Sequence, residues 1–242
     1  QPLGFFSAAE GFIFLSGLVF GLVYGRRLIT RGYEFTRKKS FQRAGVIYFY
    51  HIVILLGILA FYAVNPDYIS FLKNNDVRLF FDHPLRSFFL YSTFLLQPGH
   101  FDILPLYVVL VLIGAYILLQ FNKRKAATVF TVSILIYIFS QFQWWYQFRL
   151  TTLSNMINLG FFNIFSWQLL FILGMYTGYL RANDRMILKR RRSYFLLAVS
   201  LSGIFFISRH SLFESSGFFQ TIGIFSDRVN LGVIRLLNFL CF

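Results

Sequence analysis

The chain has 242 residues, of which 57% are hydrophobic and 13% are charged, and its formal net charge is +14. Soluble domains usually carry about 25% charged residues, so the composition excludes an ordinary water-soluble domain and indicates a membrane protein. The positive charge alone would also fit nucleic-acid binding, but the basic residues lie in short clusters between apolar runs, as in the loops that orient membrane proteins. The single cysteine excludes an intrachain disulfide and a cysteine-based zinc site.

Apolar run lengths predict an all-α fold: a polytopic bundle of membrane helices that forms a single domain over residues 1–242. A bilayer core of about 30 Å needs about 20 apolar helical residues. By this measure there are about seven predicted spans: 5–25, 44–64, 102–121, 127–145, 161–180, 194–208 and an incomplete 229–242. Because the chain begins just before one span and ends inside another, we expect it to be a fragment of a longer protein.

The first predicted span carries small residues on one face and a carboxylate on the same face. Gly17, Gly21 and Gly25 recur every fourth residue, which allows another helix backbone to approach closely. Glu10 lies seven residues before Gly17, about a turn inside the start of the span. An acid inside a membrane helix is costly and normally faces the bundle interior with a partner. A structural ion pair and a functional role are equally consistent with Glu10 at this stage.

Basic residues alternate between loops, which predicts the orientation of the chain. The loops 26–43, 122–126 and 181–193 hold sixteen Lys or Arg residues, whereas the loops 65–101, 146–160 and 209–228 hold six. The positive-inside rule places the first set in the cytoplasm and residue 1 outside. If the clusters instead bind anionic lipid headgroups, the predicted orientation is the same.

The longest outer connection ends in a candidate site edge. Leu85–Gln97 is apolar but too short to span, which predicts an interfacial or re-entrant helix. His100 and Asp102 follow the Pro98–Gly99 break and precede the next span. They could form the external edge of a site, although Asp102 is also a preferred residue for capping the helix that starts there.

Two further groups of polar residues lie within spans. His51, about two turns into the second span, can act as a general base or acid, or can simply bond another helix. Asn163, Trp167 and Gln168 lie near the outer end of the fifth span. Gln168 could line a sugar site, but bonding between helices is the more common use of a membrane glutamine.

Arg26, Arg27 and Arg43 flank the cytoplasmic loop and could hold an anionic donor such as a nucleotide-bearing thioester. A role in orienting the chain across the membrane explains these arginines as well. No phosphate loop, dinucleotide fingerprint, metalloprotease motif or hydrolase nucleophile motif occurs in the sequence. We therefore predict no bound cofactor and no metal.

Several stretches together resemble the OpgC family of membrane proteins, which are relatives of the acyltransferase type 3 superfamily. They recur in the family's order over essentially the whole chain. The resembling segments are SAAEGFIFLSG (Ser7–Gly17) followed by LVYGRRL, His51 after an Arg43-led span, Gln97 with FDILPLYVVL (Phe101–Leu110), FNIFSWQLLFILG (Phe162–Gly174) and DRVNLGVIRLLNFL (Asp227–Leu240).

The resemblance implies a multi-pass enzyme of the bacterial inner membrane that transfers succinyl groups from cytoplasmic acyl-CoA to hydroxyls of periplasmic glucans. The implied partners are the lipid bilayer, the glucan acceptor and the acyl-CoA donor, with no nucleic acid. The predicted site residues are Glu10, His51 and Asp102 for catalysis, Gln97, His100, Asn163, Trp167 and Gln168 for the acceptor, and Arg26, Arg27 and Arg43 for the donor.

The chain departs from the family pattern at its start. Family members begin with an extra span that carries an arginine and, further on, an Asp–His pair whose histidine is the lead catalytic candidate by analogy with related acyltransferases. That span would precede Gln1, and the last few spans would follow Phe242. Two other functions remain open. One is a transporter or flippase in which Glu10 and Asp102 are proton or substrate sites; the other is a structural subunit whose polar residues only hold helices together.

Overall fold

The computed structural model describes residues 7–65, 75–97, 102–142, 160, 162–184, 200, 227 and 229–240. Within these ranges every regular element is an α-helix, which confirms the predicted all-α class. The helices are α1 (Ala8–Val64), α2 (Asn75–Asp82), α3 (Pro84–Ser92), α4 (Ile103–Asn122), α5 (Ala126–Gln141), α6 (Ile164–Ala182) and α7 (Val233–Leu240).

Helix α1 folds back on itself at Gly32, whose angles (φ 79°, ψ 177°) are not helical. The Tyr24 hydroxyl reaches the Lys39 carbonyl oxygen at 3.4 Å, although fifteen residues of straight helix would span about 22 Å. We call 8–31 the first arm of α1 and 33–64 its second arm. The prediction of a loop over 26–43 is therefore wrong. The Arg, Lys and Gln residues of this stretch favour a helix, and the chain reverses its direction at a single glycine.

Only two helices in the described ranges, α1 and α4, are long and apolar enough to cross a membrane. Helix α5 is apolar but has 16 residues. The predicted count of about seven spans is not confirmed. The predicted span 194–208 lies outside the described residues except for Ser200, and the last predicted span is helical only from Val233.

The predicted interfacial helix over Leu85–Gln97 is shorter than expected. Helix α3 ends at Ser92, and Phe94 then takes a positive φ of 64°. Two backbone bonds to the Leu90 carbonyl, from residues 95 and 96, close this turn. The turn carries Gln97 into the interior, where its side chain is 1% exposed.

The first arm of α1 and α6 pack through facing glycines, as the glycine spacing predicts. A Cβ on Gly21 would lie 2.0 Å from the Met175 carbonyl oxygen, and one on Gly178 would lie 2.0 Å from the Leu18 carbonyl oxygen. Along the interface, Gly17 meets Phe171, Gly21 meets Met175 and Gly25 meets Ala182. Because the numbers rise together, the first arm and α6 run parallel.

Contacts of α4 and α5 with α6 show which helix termini lie together at each end of the bundle. Helix α4 also runs parallel to α6: Asp102 before α4 contacts Phe162 before α6, and Tyr179 near the end of α6 donates to Asn122 at the end of α4. Helix α5 returns in the opposite direction. One end of the bundle, which we call the basic end, therefore gathers Arg26, Arg27, Lys123, Arg124 and Arg181.

Large apolar side chains cover much of the outside of these helices. Leu15 and Val19 on the first arm, and Leu135 and Phe139 on α5, are 55% to 60% exposed. Soluble proteins rarely expose contiguous apolar surface of this kind, whereas lipid-facing helices do. Glu10, in contrast, is completely buried. Polar residues inside and apolar residues outside are the arrangement expected of a bundle in lipid.

Candidate functional site

The partner expected for Glu10 is Arg235, from α7. One carboxylate oxygen, Oε1, accepts from Arg235 Nε at 2.8 Å and from Arg235 Nη2. The other, Oε2, accepts from the backbone N–H and the hydroxyl of Ser7 at 2.8 Å and 2.6 Å. Both side chains of the pair are at most 3% exposed. The carboxylate is thus fully engaged and holds the guanidinium in place, and the catalytic role predicted for Glu10 stays a prediction.

Sequence reasoning did not single out Arg235, although a signal was present. The residue stands in the apolar run VIRLLNFL, and an arginine in such a run needs a buried partner just as an acid does. Glu10 and Arg235 are opposite charges that each stand in an apolar run, 225 residues apart in sequence. Because both require a buried partner, the sequence could have suggested that they pair with each other.

Helix α7 is positioned by a turn at 229–232 that fits against α5 and α6. Three side chains donate to three successive carbonyl oxygens of this turn at 2.8–3.0 Å: Tyr137 to Leu231, Gln141 to Asn230, and Trp167 to Val229. Such side-chain bonds satisfy backbone groups that have no helical partner in a turn. The predicted site residue Trp167 is therefore part of the support for α7 and Arg235.

Asn163 and Asp102 bind backbone and neighbouring polar groups at the same end as Glu10. Asn163 caps α6, accepting from the Phe165 N–H at 3.0 Å, and its amide donates to Asn230 at 2.8 Å. Asp102 precedes α4 but its side chain does not cap that helix. Instead its Oδ2 accepts from the Phe162 N–H at 3.2 Å, so it ties the start of α4 to the segment that leads into α6.

His51 is completely buried and packs on Tyr91 of α3. The two rings are parallel within 6° at 4.1 Å between centroids. The Tyr91 oxygen lies 3.0 Å from Nδ1 and 3.1 Å from the carbonyl oxygen of His51. Because parallel rings place that oxygen above the imidazole plane, its proton is better directed at the carbonyl. Burial raises the pKa of the Tyr91 phenol, which keeps this donor protonated.

Two predicted site residues keep polar atoms without a partner among the residues that the structure describes. These atoms are Nε2 of His51 and both amide atoms of Gln97, and all of them are buried. Such atoms are rare in folded proteins because each leaves a desolvation cost uncompensated. His51 and Gln97 therefore stay candidates for binding a polar ligand. Gln168, in contrast, is fully used between helices: Ser133 donates to its Oε1 at 2.7 Å, and its amide donates to the Ser133 carbonyl at 2.9 Å.

Two of the three predicted donor arginines lie together. Arg26 and Arg27 line an open groove of about 500 Å³ at the basic end, and Arg31 and Lys39 join them from both sides of the Gly32 reversal. Arg43 does not line this groove. It lies within reach of the Tyr107 phenol on α4.

The described ranges contain no group of three metal-binding side chains, and the prediction of no metal or bound cofactor stays a prediction. The predicted residue His100 lies outside the described residues.

In the described part of the chain, apolar helices enclose a charged pair and polar atoms of His51 and Gln97 that have no partner there. These features define the class: an all-helical protein with polar groups inside an apolar bundle. The chain belongs to the OpgC protein family, whose model matches residues 1–242. The resemblance seen in the sequence is thereby confirmed. No curated protein and no solved structure matches the chain.

Proposed function

We propose that this chain forms part of a membrane O-acyltransferase that moves a succinyl or similar acyl group from cytoplasmic acyl-CoA to a hydroxyl of a periplasmic glucan. The observation that carries the proposal is membership of the OpgC family over the whole chain. The bundle adds physical support, since it has a cationic groove at one end and buried polar groups in its interior.

In the proposed reaction a base removes the proton of the acceptor hydroxyl while its oxygen attacks the thioester carbonyl carbon. The carbon–sulfur bond breaks, the new ester forms, and the thiolate of coenzyme A takes up the proton. His51 is our candidate for the base in this chain, because an imidazole nitrogen can accept a proton and Nε2 of His51 has no partner in the described part. Gln97 would bind the acceptor, and the Glu10–Arg235 pair would hold the surrounding helices.

The proposed location is the bacterial inner membrane, with the basic end in the cytoplasm. The exposed apolar side chains of α1 and α5 would then face lipid, and the groove lined by Arg26, Arg27, Arg31 and Lys39 would face the donor. Arginine and lysine in such a groove would bind the donor's phosphates through charge-assisted hydrogen bonds.

The test of this function is deletion of the gene that encodes the chain, followed by measurement of ester-linked succinate on the periplasmic glucans. We expect the ester to disappear, the glucans to become less negative, and complementation to restore both. Unchanged glucans would refute the proposed substrate. Glucans that keep their ester but change compartment would indicate transport instead.

The groove lined by Arg26, Arg27, Arg31 and Lys39 allows a sharper test in membranes that carry the whole protein. Arg31→Gln should raise the KM for the acyl-CoA donor several-fold and leave the KM for the glucan unchanged, because it removes one phosphate contact. Lys123→Gln is the matched control: it removes a charge from the same end of the bundle but outside the groove. Equal effects of the two changes on the donor KM would exclude the groove as the donor site.

A further inference from the structure

A second groove, on the outside of the bundle between α4, α5 and α6, has no role in the proposed reaction. It has a volume of about 520 Å³, and nearly all its lining is apolar. One wall runs from Val109 to Gln120 on α4, and the other runs from Lys125, just before α5, to Ile136 on α5. Phe165 and Ile172 of α6 also line the groove. We call it the α4–α5 groove.

The length of the α4–α5 groove matches one lipid tail. Each wall covers eleven helical steps, or about 16 Å at 1.5 Å per residue. Half of a bilayer hydrocarbon core is about 15 Å thick, which is the depth that one acyl chain fills. Ser133 and Gln168 are the polar residues of the groove's inner part, and their side chains bond each other at 2.7 Å. They therefore need no partner from an apolar occupant.

One end of the groove is polar and cationic, unlike the rest. Gln120, Lys125 and Thr128 line this mouth, which belongs to the basic end of the bundle. Lys123 and Arg124 lie in the adjoining turn. Helix α5 begins at Ala126, so its positive dipole end and the N–H groups of its first turn lie at the same place. A cation, an amide, a hydroxyl and a helix start together suit a phosphate group.

We propose that the α4–α5 groove binds an anionic phospholipid, with one acyl chain along the groove and its phosphate at Lys125. An apolar groove of chain length with a cationic mouth is complementary to a molecule that joins a phosphate to a hydrocarbon tail. The bound lipid would cover apolar side chains such as Val132, which is 50% exposed, and would fill the space between α4 and α5. The inference rests on the membrane location in the proposed function but not on acyl transfer.

The test uses the whole protein in zwitterionic bilayers that contain a small fraction of phosphatidylglycerol with a photoreactive group on its acyl chain. Irradiation and peptide mapping should place the label on α4 and α5 residues of the groove. Excess unlabelled phosphatidylglycerol should compete, whereas excess phosphatidylcholine should not. A label spread evenly over all exposed apolar faces, or equal competition by both lipids, would overturn the proposal.

Two matched pairs of variants sharpen the result. Val132→Trp fills the groove and should reduce labelling there about ten-fold, equivalent to one decade in affinity. Leu135→Trp adds the same bulk to α5 at an exposed position outside the groove and should not reduce it. Lys125→Gln should weaken competition by phosphatidylglycerol about five-fold, the usual effect of one basic residue on anionic lipid. Lys123→Gln should weaken it less.

If Val132→Trp fails to fold, the competition experiment on the unchanged protein still tests whether the α4–α5 groove binds an anionic phospholipid. Cross-linking of the groove to another segment of the same chain, or to a second copy, in place of lipid would also overturn the proposal. Neither result would bear on acyl transfer, and loss of acyl transfer would not bear on lipid labelling. The two proposals can therefore fail separately.

Discussion

Glu10 and Arg235 form a charged pair in the interior of this bundle. Each is a charge that apolar surroundings would make very unfavourable alone. Together they form a buried pair whose carboxylate also accepts two bonds from Ser7. Loss of one partner from such a pair is strongly destabilising because the other charge stays buried, whereas removal of both is much milder. The pair therefore links the first arm of α1 to α7 energetically as well as geometrically.

We predict that Glu10→Gln or Arg235→Met alone destabilises the protein by about 3–5 kcal/mol, the range for breaking a buried pair. The double variant should recover a large part of this loss. The measurement is thermal unfolding in detergent, arranged as a double-mutant cycle. Glu34→Gln is the control, since its pair with Arg37 is exposed and such pairs contribute about 0–1 kcal/mol. Additive losses in the cycle would contradict a direct Glu10–Arg235 coupling.

At the level of elements, the contact between the first arm of α1 and α6 organises the helices around it. Glycines on both helices let each backbone touch the other: Gly17 and Gly21 on α1 meet the backbone of α6, and Gly174 and Gly178 on α6 meet the backbone of α1. In lipid, which is the location proposed here, helices have little hydrophobic reason to associate, so close packing of this kind would be a main source of their association. A methyl group at the contact has no space to occupy.

We predict that Gly21→Ala lowers stability by about 1–3 kcal/mol, as overpacking usually does. Its added Cβ would lie 2.0 Å from the Met175 carbonyl oxygen, and a helix backbone cannot move aside locally. Gly45→Ala, also inside α1, is the control because a Cβ there would meet nothing within 4 Å. Thermal unfolding of both variants measures the difference. If Gly45→Ala proves the more damaging change, the close contact is not what stabilises the pair.

For the whole molecule, the direction of each helix brings the basic residues together. The first arm of α1, α4 and α6 run parallel, and α5 runs the opposite way. Arg26 and Arg27, the Lys123–Lys125 turn and Arg181 thus lie at one end, whereas Glu10, Asp102 and Asn163 lie towards the other. This arrangement agrees with the alternation of basic loops in the sequence, and it is what the positive-inside rule requires of a single cytoplasmic face.

We predict that the two ends lie on opposite sides of the membrane. In a Cys241→Ser background, Lys38→Cys and Lys123→Cys should react with a membrane-impermeant thiol reagent only after the cytoplasmic side is opened. His83→Cys, at an exposed position in the outer connection, should react in intact spheroplasts. Labelling of Lys38→Cys from outside would reverse the proposed orientation.

The all-helical class, the family and the close approach at Gly17, Gly21 and Gly25 could all be predicted from sequence alone. These properties depend on composition, on recurring segments and on a four-residue period, which are local or additive features of the chain. The need for a partner at Glu10 was predictable for the same reason, since a buried acid is costly wherever it occurs.

Only the tertiary structure decided which groups meet. Arg235 pairs with Glu10 across almost the whole chain, Asp102 binds the backbone before α6 rather than capping α4, and Gln168 bonds α5 to α6. Residues 26–43 are predicted to form a loop because they are rich in charge. In the structure they are helical on both sides of Gly32, and that one glycine reverses the chain. The physical reason is common to these cases. The sequence determines that a buried polar or charged group requires a hydrogen-bond or ion-pair partner. Which residue becomes that partner depends on how helices distant in sequence pack.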